Sequence, residues 1–109
     1  ITSYALKNNL FSEIVKSPEI VIYSTDGRFE HKLENSNRLI KNEHPLYLPY
    51  VVGVKTGFTP QAGHCLIAAT NKNDRTLISV VLNTNLYTNE ASAVESNKLL
   101  EWGYRSYKF

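Results

Sequence analysis

Apolar residues recur every three to four positions near the start of the chain. The positions are Leu6, Leu10, Phe11, Ile14 and Val15. This spacing is typical of one face of a helix, so we predict a single helix over residues 2–16. Pro18 ends it, because the residue before a proline avoids the helical backbone conformation.

Two short strand-like runs follow this helix, and a polar loop comes after them. Ile20–Ser24 and Arg28–Leu33 flank an Asp-Gly pair, which is a strong signal for a β-hairpin. Between Asn35 and Pro49 the chain is polar and interrupted by asparagine and proline. This pattern predicts a loop with one short helix at Asn37–Lys41.

Three β-rich runs in the second half predict the main sheet. They are Val51–Gly57, His64–Thr70 and Arg75–Leu82. The links between them are too short for a helical crossover, so neighbouring strands must run antiparallel. The second and third runs are apolar on both faces, and such strands need cover on both sides of the sheet.

A final helix follows the three strands. Thr88 or Asn89 is a suitable N-cap, and Glu90 lies in the first turn, where a negative charge is favourable. We predict that the helix runs to about Trp102 and that Gly103 is the residue just past its end.

Length, charge and cysteine count narrow the function classes. The chain has 109 residues, enough for about one small domain, and a net charge of +2. That charge is too small to indicate a nucleic-acid or anionic-membrane surface, and no apolar run approaches the ~18 residues of a membrane span. A single cysteine excludes an internal disulfide framework and a multi-cysteine zinc site.

One triplet with chemical meaning closes the first strand of the predicted sheet. Lys55, Thr56 and Gly57 stand directly before a turn. In serine acyl-enzymes that recognise penicillin, a Lys-Thr-Gly triplet accompanies a Ser-x-x-Lys nucleophile motif. The lysine supplies positive charge, and the threonine hydroxyl can bind a carboxylate. Glycine lets an extended substrate lie against the strand edge.

The sequence around this triplet resembles the D-alanyl-D-alanine carboxypeptidases, a family of low-molecular-mass penicillin-binding proteins. The resemblance is clearest over Val52–Ala69 and extends over essentially the whole chain. The other matching segments are Tyr4–Val15, Asn35–Ile40 with its Asn-x-Asn-x-Leu pattern, Arg75–Leu82 and Glu95–Tyr104.

The resemblance implies a β-lactamase/transpeptidase-like α+β fold, of which this chain is expected to be the C-terminal portion. Residues 1–50 would form its helix and loop region, and residues 51–109 its sheet and C-terminal helix. The implied reaction removes the terminal D-Ala from peptidoglycan pentapeptide stems through a seryl acyl-enzyme, outside the cytoplasm at the cell envelope. Penicillins and other β-lactams acylate the same serine, and the mechanism requires no metal and no cofactor.

The family's site residues carry over onto the triplet and its neighbours. By resemblance, Lys55 has a catalytic electrostatic role and the backbone N–H of Phe58 is a donor of the oxyanion hole. The residues expected to bind substrate are Thr56, Gly57 and Thr59. The sequence contains neither Ser-x-x-Lys nor Ser-x-Asn, so the nucleophile is expected outside this chain. The family's carboxylate-binding arginine also has no match, since residues 85–96 contain no Arg or Lys.

Two other residues able to do chemistry have simpler explanations. His64 lies at a strand start without a second metal ligand spaced nearby, so a surface or structural role is favoured. Cys65 lies in an apolar strand, where a small buried thiol is the common case.

Two functions remain open at this point. The chain is part of a serine D-Ala-D-Ala carboxypeptidase, or it is a non-catalytic module of the same fold that binds peptidoglycan or a partner chain. A β-lactamase relative shares the Lys-Thr-Gly triplet, but the flanking segments favour the carboxypeptidase. The isolated chain is expected to be inactive, because it contains no Ser-x-x-Lys nucleophile motif. It is also expected to self-associate, because in the family fold Arg75–Leu82 pairs with a strand that this chain lacks.

Overall fold

The computed structural model describes residues 1–84 and 87–108, and Asn85, Leu86 and Phe109 lie outside the described residues. Along the described ranges the elements are α1 (Thr2–Ala5), α2 (Asn9–Lys16), β1 (Glu19–Tyr23), β2 (Glu30–Glu34), a 3-10 helix (Arg38–Ile40), β3 (Val51–Thr59), β4 (Gly63–Lys72), β5 (Arg75–Thr84) and α3 (Ala91–Ser106). No helix in these ranges is long and apolar enough to cross a lipid bilayer.

The prediction of a single helix over residues 2–16 is wrong, because Asn8 divides it into α1 and α2. The backbone of Asn8 is extended, and its side-chain oxygen accepts a hydrogen bond from the Phe11 N–H at 3.0 Å. This cap satisfies one of the N–H groups that the first turn of α2 leaves free. The second helix then ends at Lys16, ahead of Pro18 as predicted.

The predicted hairpin is confirmed as β1 and β2, which pair antiparallel from Glu19 opposite Glu34 to Tyr23 opposite Glu30. The Ser24 hydroxyl stabilises the connecting turn. It donates to a carboxylate oxygen of Asp26 at 2.6 Å and accepts from the Phe29 N–H at 3.0 Å. The predicted short helix after the hairpin is also present, as the 3-10 helix.

The main sheet has the predicted strands in the order β3–β4–β5, each antiparallel to its neighbour. All three are longer than predicted. The first, for example, continues past Gly57 to Thr59, because backbone pairing extends beyond the apolar run and places Thr59 opposite Gly63.

The core lies on both faces of β4. On one face, α3 and the 3-10 helix bury a cluster centred on Leu39, Leu66 and Leu100. On the other face, Val15 of α2 packs with Val54 and Ala69. The expectation that the apolar strands are covered on both sides therefore holds for β4. It does not hold for β5 in the described residues, where Val80 and Leu82 are 55% and 68% exposed.

The last helix begins later and ends later than predicted. It starts at Ala91, and Glu90 rather than the predicted Thr88 or Asn89 occupies the N-cap position, without a side-chain capping hydrogen bond. The helix continues through Gly103 to Ser106. Gly103 does not terminate the helix. It is buried against β5, where a Cβ atom would lie 2.9 Å from Cδ1 of Leu77. The glycine serves close packing between helix and sheet.

Candidate active site

The Lys-Thr-Gly triplet lies on an edge strand. Among the described residues, β3 pairs only with β4, which leaves its other edge without a strand partner. Lys55, Thr56 and Gly57 pair with Ile67, Leu66 and Cys65 on the inner side. The strand is therefore fixed in place by β4 while its outer edge stays available to an extended ligand.

Two asparagine side chains hold the segment that faces this edge. The Asn35 amide donates to the carbonyls of Val15 and Ser17 at 3.3 and 3.1 Å, and its oxygen accepts from the Asn37 N–H. Asn37 is fully buried, and its oxygen accepts from the Leu39 N–H at 3.0 Å. These bonds explain the Asn-x-Asn-x-Leu pattern. The asparagines and the leucine fix the backbone, and the intervening residues, Ser36 and Arg38, line the cleft.

A cleft of about 340 Å³ lies between this segment, the end of β3 and the start of α3. Its lining residues come from separate parts of the chain and are mostly polar. They are Ser36, Arg38, Lys55, Thr56, Gly57, Phe58, His64, Cys65, Asn89 and Ser92. The structure thus brings together the predicted residues 55–58.

Thr59 is not among the residues that line this cleft. Its hydroxyl oxygen accepts a hydrogen bond from the Ala62 N–H at 3.0 Å, across the turn between β3 and β4. The contact stabilises that turn, so its side chain has a structural partner in this chain.

The hydroxyl of Thr56 is paired with the hydroxyl of Ser36. Their oxygens are 2.5 Å apart, and either one can be the donor. Each hydroxyl has one hydrogen to donate. When Ser36 donates to Thr56, the Thr56 hydrogen is free to donate to an anionic group in the cleft. In that arrangement Thr56 can serve as a donor towards the cleft.

Positive charge in the lining of the cleft comes first from Lys55. The side chain is exposed, and its ammonium nitrogen donates to the carbonyl oxygen of Thr56 at 2.8 Å. This contact uses one of three N–H groups and leaves the charge uncompensated by any carboxylate in the described residues.

A second cation, Arg38, crosses from the 3-10 helix to the start of α3. One terminal nitrogen donates to the carbonyl oxygen of Asn89 at 3.0 Å, and Nε is 3.9 Å from a carboxylate oxygen of Glu90. The same Glu90 oxygen is 3.5 Å from Nε2 of His44. Glu90 thus has two basic neighbours.

The lining of the cleft also contains an aromatic pair. The rings of Phe58 and His64 stack with centroids 4.3 Å apart. Cys65 also lines the cleft, with its sulfur 3.6 Å from the carbonyl oxygens of Ala62 and Gly63. His64 thus has an aromatic partner within the lining of the cleft.

Gly57 is a glycine that the described chain itself does not require. Its φ lies outside the left-handed region, and an added Cβ would meet only the Cβ of Cys65 at 3.9 Å, an ordinary contact. Neither backbone conformation nor packing within the described chain requires a glycine at position 57. A glycine here instead leaves space open in the cleft, which a side chain would fill.

Sequence reasoning missed four of the lining residues. Ser36 and Arg38 stand in the matched Asn-x-Asn-x-Leu segment without an assigned role, and Asn89 and Ser92 belong to the start of the last helix. The available signal was the alternation itself. If the asparagines bind the backbone, the residues between them must face another way.

Comparison with known proteins identifies the family. The model of the D-alanyl-D-alanine carboxypeptidase family matches residues 2–86. DacA of Haemophilus influenzae, a D-alanyl-D-alanine carboxypeptidase, is 48% identical over 59 residues, which make up 53% of this chain and 14% of that protein. DacF of Bacillus subtilis, also a D-alanyl-D-alanine carboxypeptidase, is 35% identical over 85 residues, 78% of this chain and 20% of that protein. The chain therefore spans about a fifth or less of these relatives.

Solved structures confirm the predicted fold class. A mutant of a Streptomyces DD-transpeptidase superposes with a TM-score of 0.81 at 27% identity, over 94% of this chain and 39% of that one. A penicillin-binding protein of Listeria monocytogenes in its cefotaxime-bound form gives a TM-score of 0.74 at 28% identity, over 94% of this chain and 37% of that one. The fold matches that of the DD-transpeptidase, and the chain belongs to the D-alanyl-D-alanine carboxypeptidase family, as its sequence predicts.

Proposed function

We propose that this chain forms the Lys-Thr-Gly wall of a serine-type D-Ala-D-Ala carboxypeptidase. The whole enzyme would remove the terminal D-Ala from peptidoglycan pentapeptide stems through a seryl acyl-enzyme. The observation that carries the proposal is the paired hydroxyl of Thr56 beside the cation Lys55, on the open edge of β3. An extended peptide that ends in a carboxylate has the shape and charge to bind there.

Each residue of the wall has a defined task in this proposal. Thr56 donates a hydrogen bond to the substrate carboxylate, and Lys55 supplies positive charge beside the nucleophile. The backbone N–H of Phe58 stabilises the oxyanion. Gly57 admits the substrate main chain, which its open surroundings support. Thr59 extends the substrate-binding edge through its backbone, since its hydroxyl already accepts from Ala62.

The nucleophile belongs to residues outside this chain, because residues 1–109 contain no Ser-x-x-Lys. In acylation, the serine oxygen bonds to the carbonyl carbon of the D-Ala–D-Ala peptide bond. The C–N bond breaks, and the terminal D-Ala leaves as an amine after receiving a proton. Water then hydrolyses the ester and restores the serine hydroxyl. In the whole enzyme, residues 1–109 are the C-terminal portion of the catalytic domain.

The proposed substrate sets the proposed location and inhibitors. Peptidoglycan lies outside the cytoplasm, so the whole enzyme would act at the cell envelope. β-Lactams would acylate the same serine. The cefotaxime-bound form of the similar Listeria penicillin-binding protein supports this expectation.

The test compares two threonine variants of the whole protein. Thr56→Val should slow acylation by labelled penicillin roughly 10- to 100-fold, because a charge-assisted hydrogen bond contributes about 1.5–3 kcal/mol. Thr76→Val is the matched control, since Thr76 is exposed on β5 and does not line the cleft, and it should acylate at the wild-type rate. Equal rates in wild type and Thr56→Val would contradict the assigned role.

Penicillin acylation, measured together with binding and cleavage of a D-Ala-D-Ala peptide, separates the alternatives. A non-catalytic binding module would retain D-Ala-D-Ala peptide without forming any covalent penicillin adduct. A β-lactamase relative would form the adduct and release hydrolysed penicillin rapidly. A slowly released adduct together with release of D-Ala from the peptide is the result that the carboxypeptidase proposal expects.

A further inference from the structure

Several contacts within the chain hold Arg38 in the cleft. Arg38 lies on the 3-10 helix, whose backbone is held by the buried side chain of Asn37. From there its side chain reaches the start of α3 and donates to the Asn89 carbonyl at 3.0 Å. Its side chain is only 24% exposed, and it lines the cleft together with Thr56. The guanidinium is thus held in the same cleft as the Thr56 hydroxyl that we propose binds substrate.

The contacts of Arg38 leave donors free for a ligand. A guanidinium carries five N–H groups. In the described part of the chain, one terminal nitrogen serves Asn89, and Nε lies 3.9 Å from Glu90, which is longer than a hydrogen bond. The second terminal nitrogen has no acceptor among the described residues. A carboxylate in the cleft could therefore accept from Arg38 without displacing the Asn89 contact.

The charge of Arg38 is only partly balanced by Glu90. The Glu90 side chain is 51% exposed, so the attraction is screened by water. It also lies 3.5 Å from His44. The Asn89 carbonyl carries no net charge. A substrate carboxylate beside the Arg38 side chain, which is less exposed than that of Glu90, would therefore find positive charge that the described chain does not fully cancel.

We propose that Arg38 binds the C-terminal carboxylate of the substrate together with Thr56, and so determines the preference for a free acid over an uncharged C-terminus. Arginine suits this task because its planar donors match the two oxygens of a carboxylate. The inference rests on the proposed carboxypeptidase function and adds to it a residue from outside the Lys-Thr-Gly triplet. The competing explanation is that Arg38 only ties the 3-10 helix to α3.

The test measures kcat/KM of the whole protein on two peptides, an acyl-D-Ala-D-Ala with a free carboxylate and the same peptide with a C-terminal amide. Arg38→Gln should lower kcat/KM for the acid roughly 10- to 100-fold and change the amide less than about threefold. Arg38→Lys keeps the charge but loses the planar donors, so it should recover part of the acid preference.

Two control variants use neighbouring charges. Lys41→Gln removes one positive charge beside the same 3-10 helix. The Lys41 side chain contacts Glu34 and does not line the cleft, so this variant should leave kcat/KM unchanged for both peptides. Glu90→Gln removes the competing anion and should leave the acid rate unchanged or raise it. If Arg38 and Glu90 form only a structural tie, Glu90→Gln should lower both rates, as Arg38→Gln does.

The outcomes are distinct for the inference and for the proposed function. Equal loss of both rates in Arg38→Gln, whether from misfolding or from a broken tie, would overturn the carboxylate role while the wild-type activity upholds the carboxypeptidase. A wild-type protein that cleaves neither peptide would overturn the proposed function and the role of Arg38 with it. If Arg38→Gln loses activity selectively on the peptide with a free carboxylate, the result supports both the proposed function and the role of Arg38.

Discussion

Two glycines of β3 should respond in opposite ways to the same added methyl group. In Gly57→Ala, the new Cβ meets only the Cβ of Cys65 at 3.9 Å and the backbone needs no left-handed conformation. The free energy of unfolding should therefore stay the same or rise by up to about 1 kcal/mol, because alanine restricts the unfolded chain. The methyl group instead occupies the edge of the cleft, where we place the substrate.

The magnitude of the functional effect follows from the crowding of a bound ligand. Forcing an extra methyl group into a close contact costs about 1–3 kcal/mol, which corresponds to a loss of roughly 5- to 150-fold in acylation rate. Gly57→Ala should therefore acylate slowly while it remains folded.

Gly53→Ala supplies the contrast. Gly53 has a φ of +139°, and an added Cβ would lie 2.8 Å from Cγ2 and 3.2 Å from the carbonyl oxygen of Val15. Backbone strain of about 1–3 kcal/mol and overpacking of similar size should together lower the free energy of unfolding by about 2–6 kcal/mol. This loss comes from the contact between α2 and β3, away from the cleft.

The assay combines thermal unfolding with labelled-penicillin acylation of both variants in the whole protein. We expect Gly57→Ala to melt at the wild-type temperature and to acylate more slowly. Gly53→Ala should melt at a lower temperature than wild type. Wild-type acylation by Gly57→Ala would refute a close approach of substrate to this strand. If Gly57→Ala melted at as low a temperature as Gly53→Ala, the argument that the chain has room for a methyl group at position 57 would be refuted.

Two further predictions concern stability and association. Burial and the hydrogen bond to Glu101 raise the pKa of Tyr50 above its ordinary value, so the stability it contributes is complete below about pH 10 and falls as the pH rises further. Tyr50→Phe should show a shallower alkaline loss in unfolding titrations above about pH 10, and equal slopes would contradict this. The isolated chain should form dimers or larger assemblies through the exposed edge and face of β5, where Ile78, Val80 and Leu82 are exposed. Sedimentation equilibrium that finds a stable monomer at micromolar concentration would count against it.

The strands could be predicted because their signals are local. The apolar runs and short links around β4 decide both the strands and their antiparallel order, and the structure agrees. The helices were less predictable because single side chains override the periodicity. Asn8 caps a new helix within a continuous apolar pattern, and Gly103 looks like a helix end until Leu77, far away in sequence, is seen to pack on it.

The candidate site shows the same division. The Lys-Thr-Gly triplet is a continuous motif, so its chemistry could be predicted from residue types alone. Ser36 and Arg38 could not be assigned, because Ser36 meets Thr56 across twenty residues of chain and Arg38 meets Asn89 across fifty-one. Contacts of that separation depend on how the 3-10 helix packs against β3 and α3, which no local pattern records.

The most direct test of the central proposal is the mass of the whole protein during reaction with penicillin, followed by peptide mapping of the adduct. We predict one covalent adduct on a serine outside residues 1–109, formed more slowly in Thr56→Val, and no adduct on the isolated chain. An adduct on Cys65 or on a serine of residues 1–109, or release of D-Ala without any serine acyl-enzyme, would contradict the proposal that this chain is the Lys-Thr-Gly wall beside a nucleophile supplied from elsewhere.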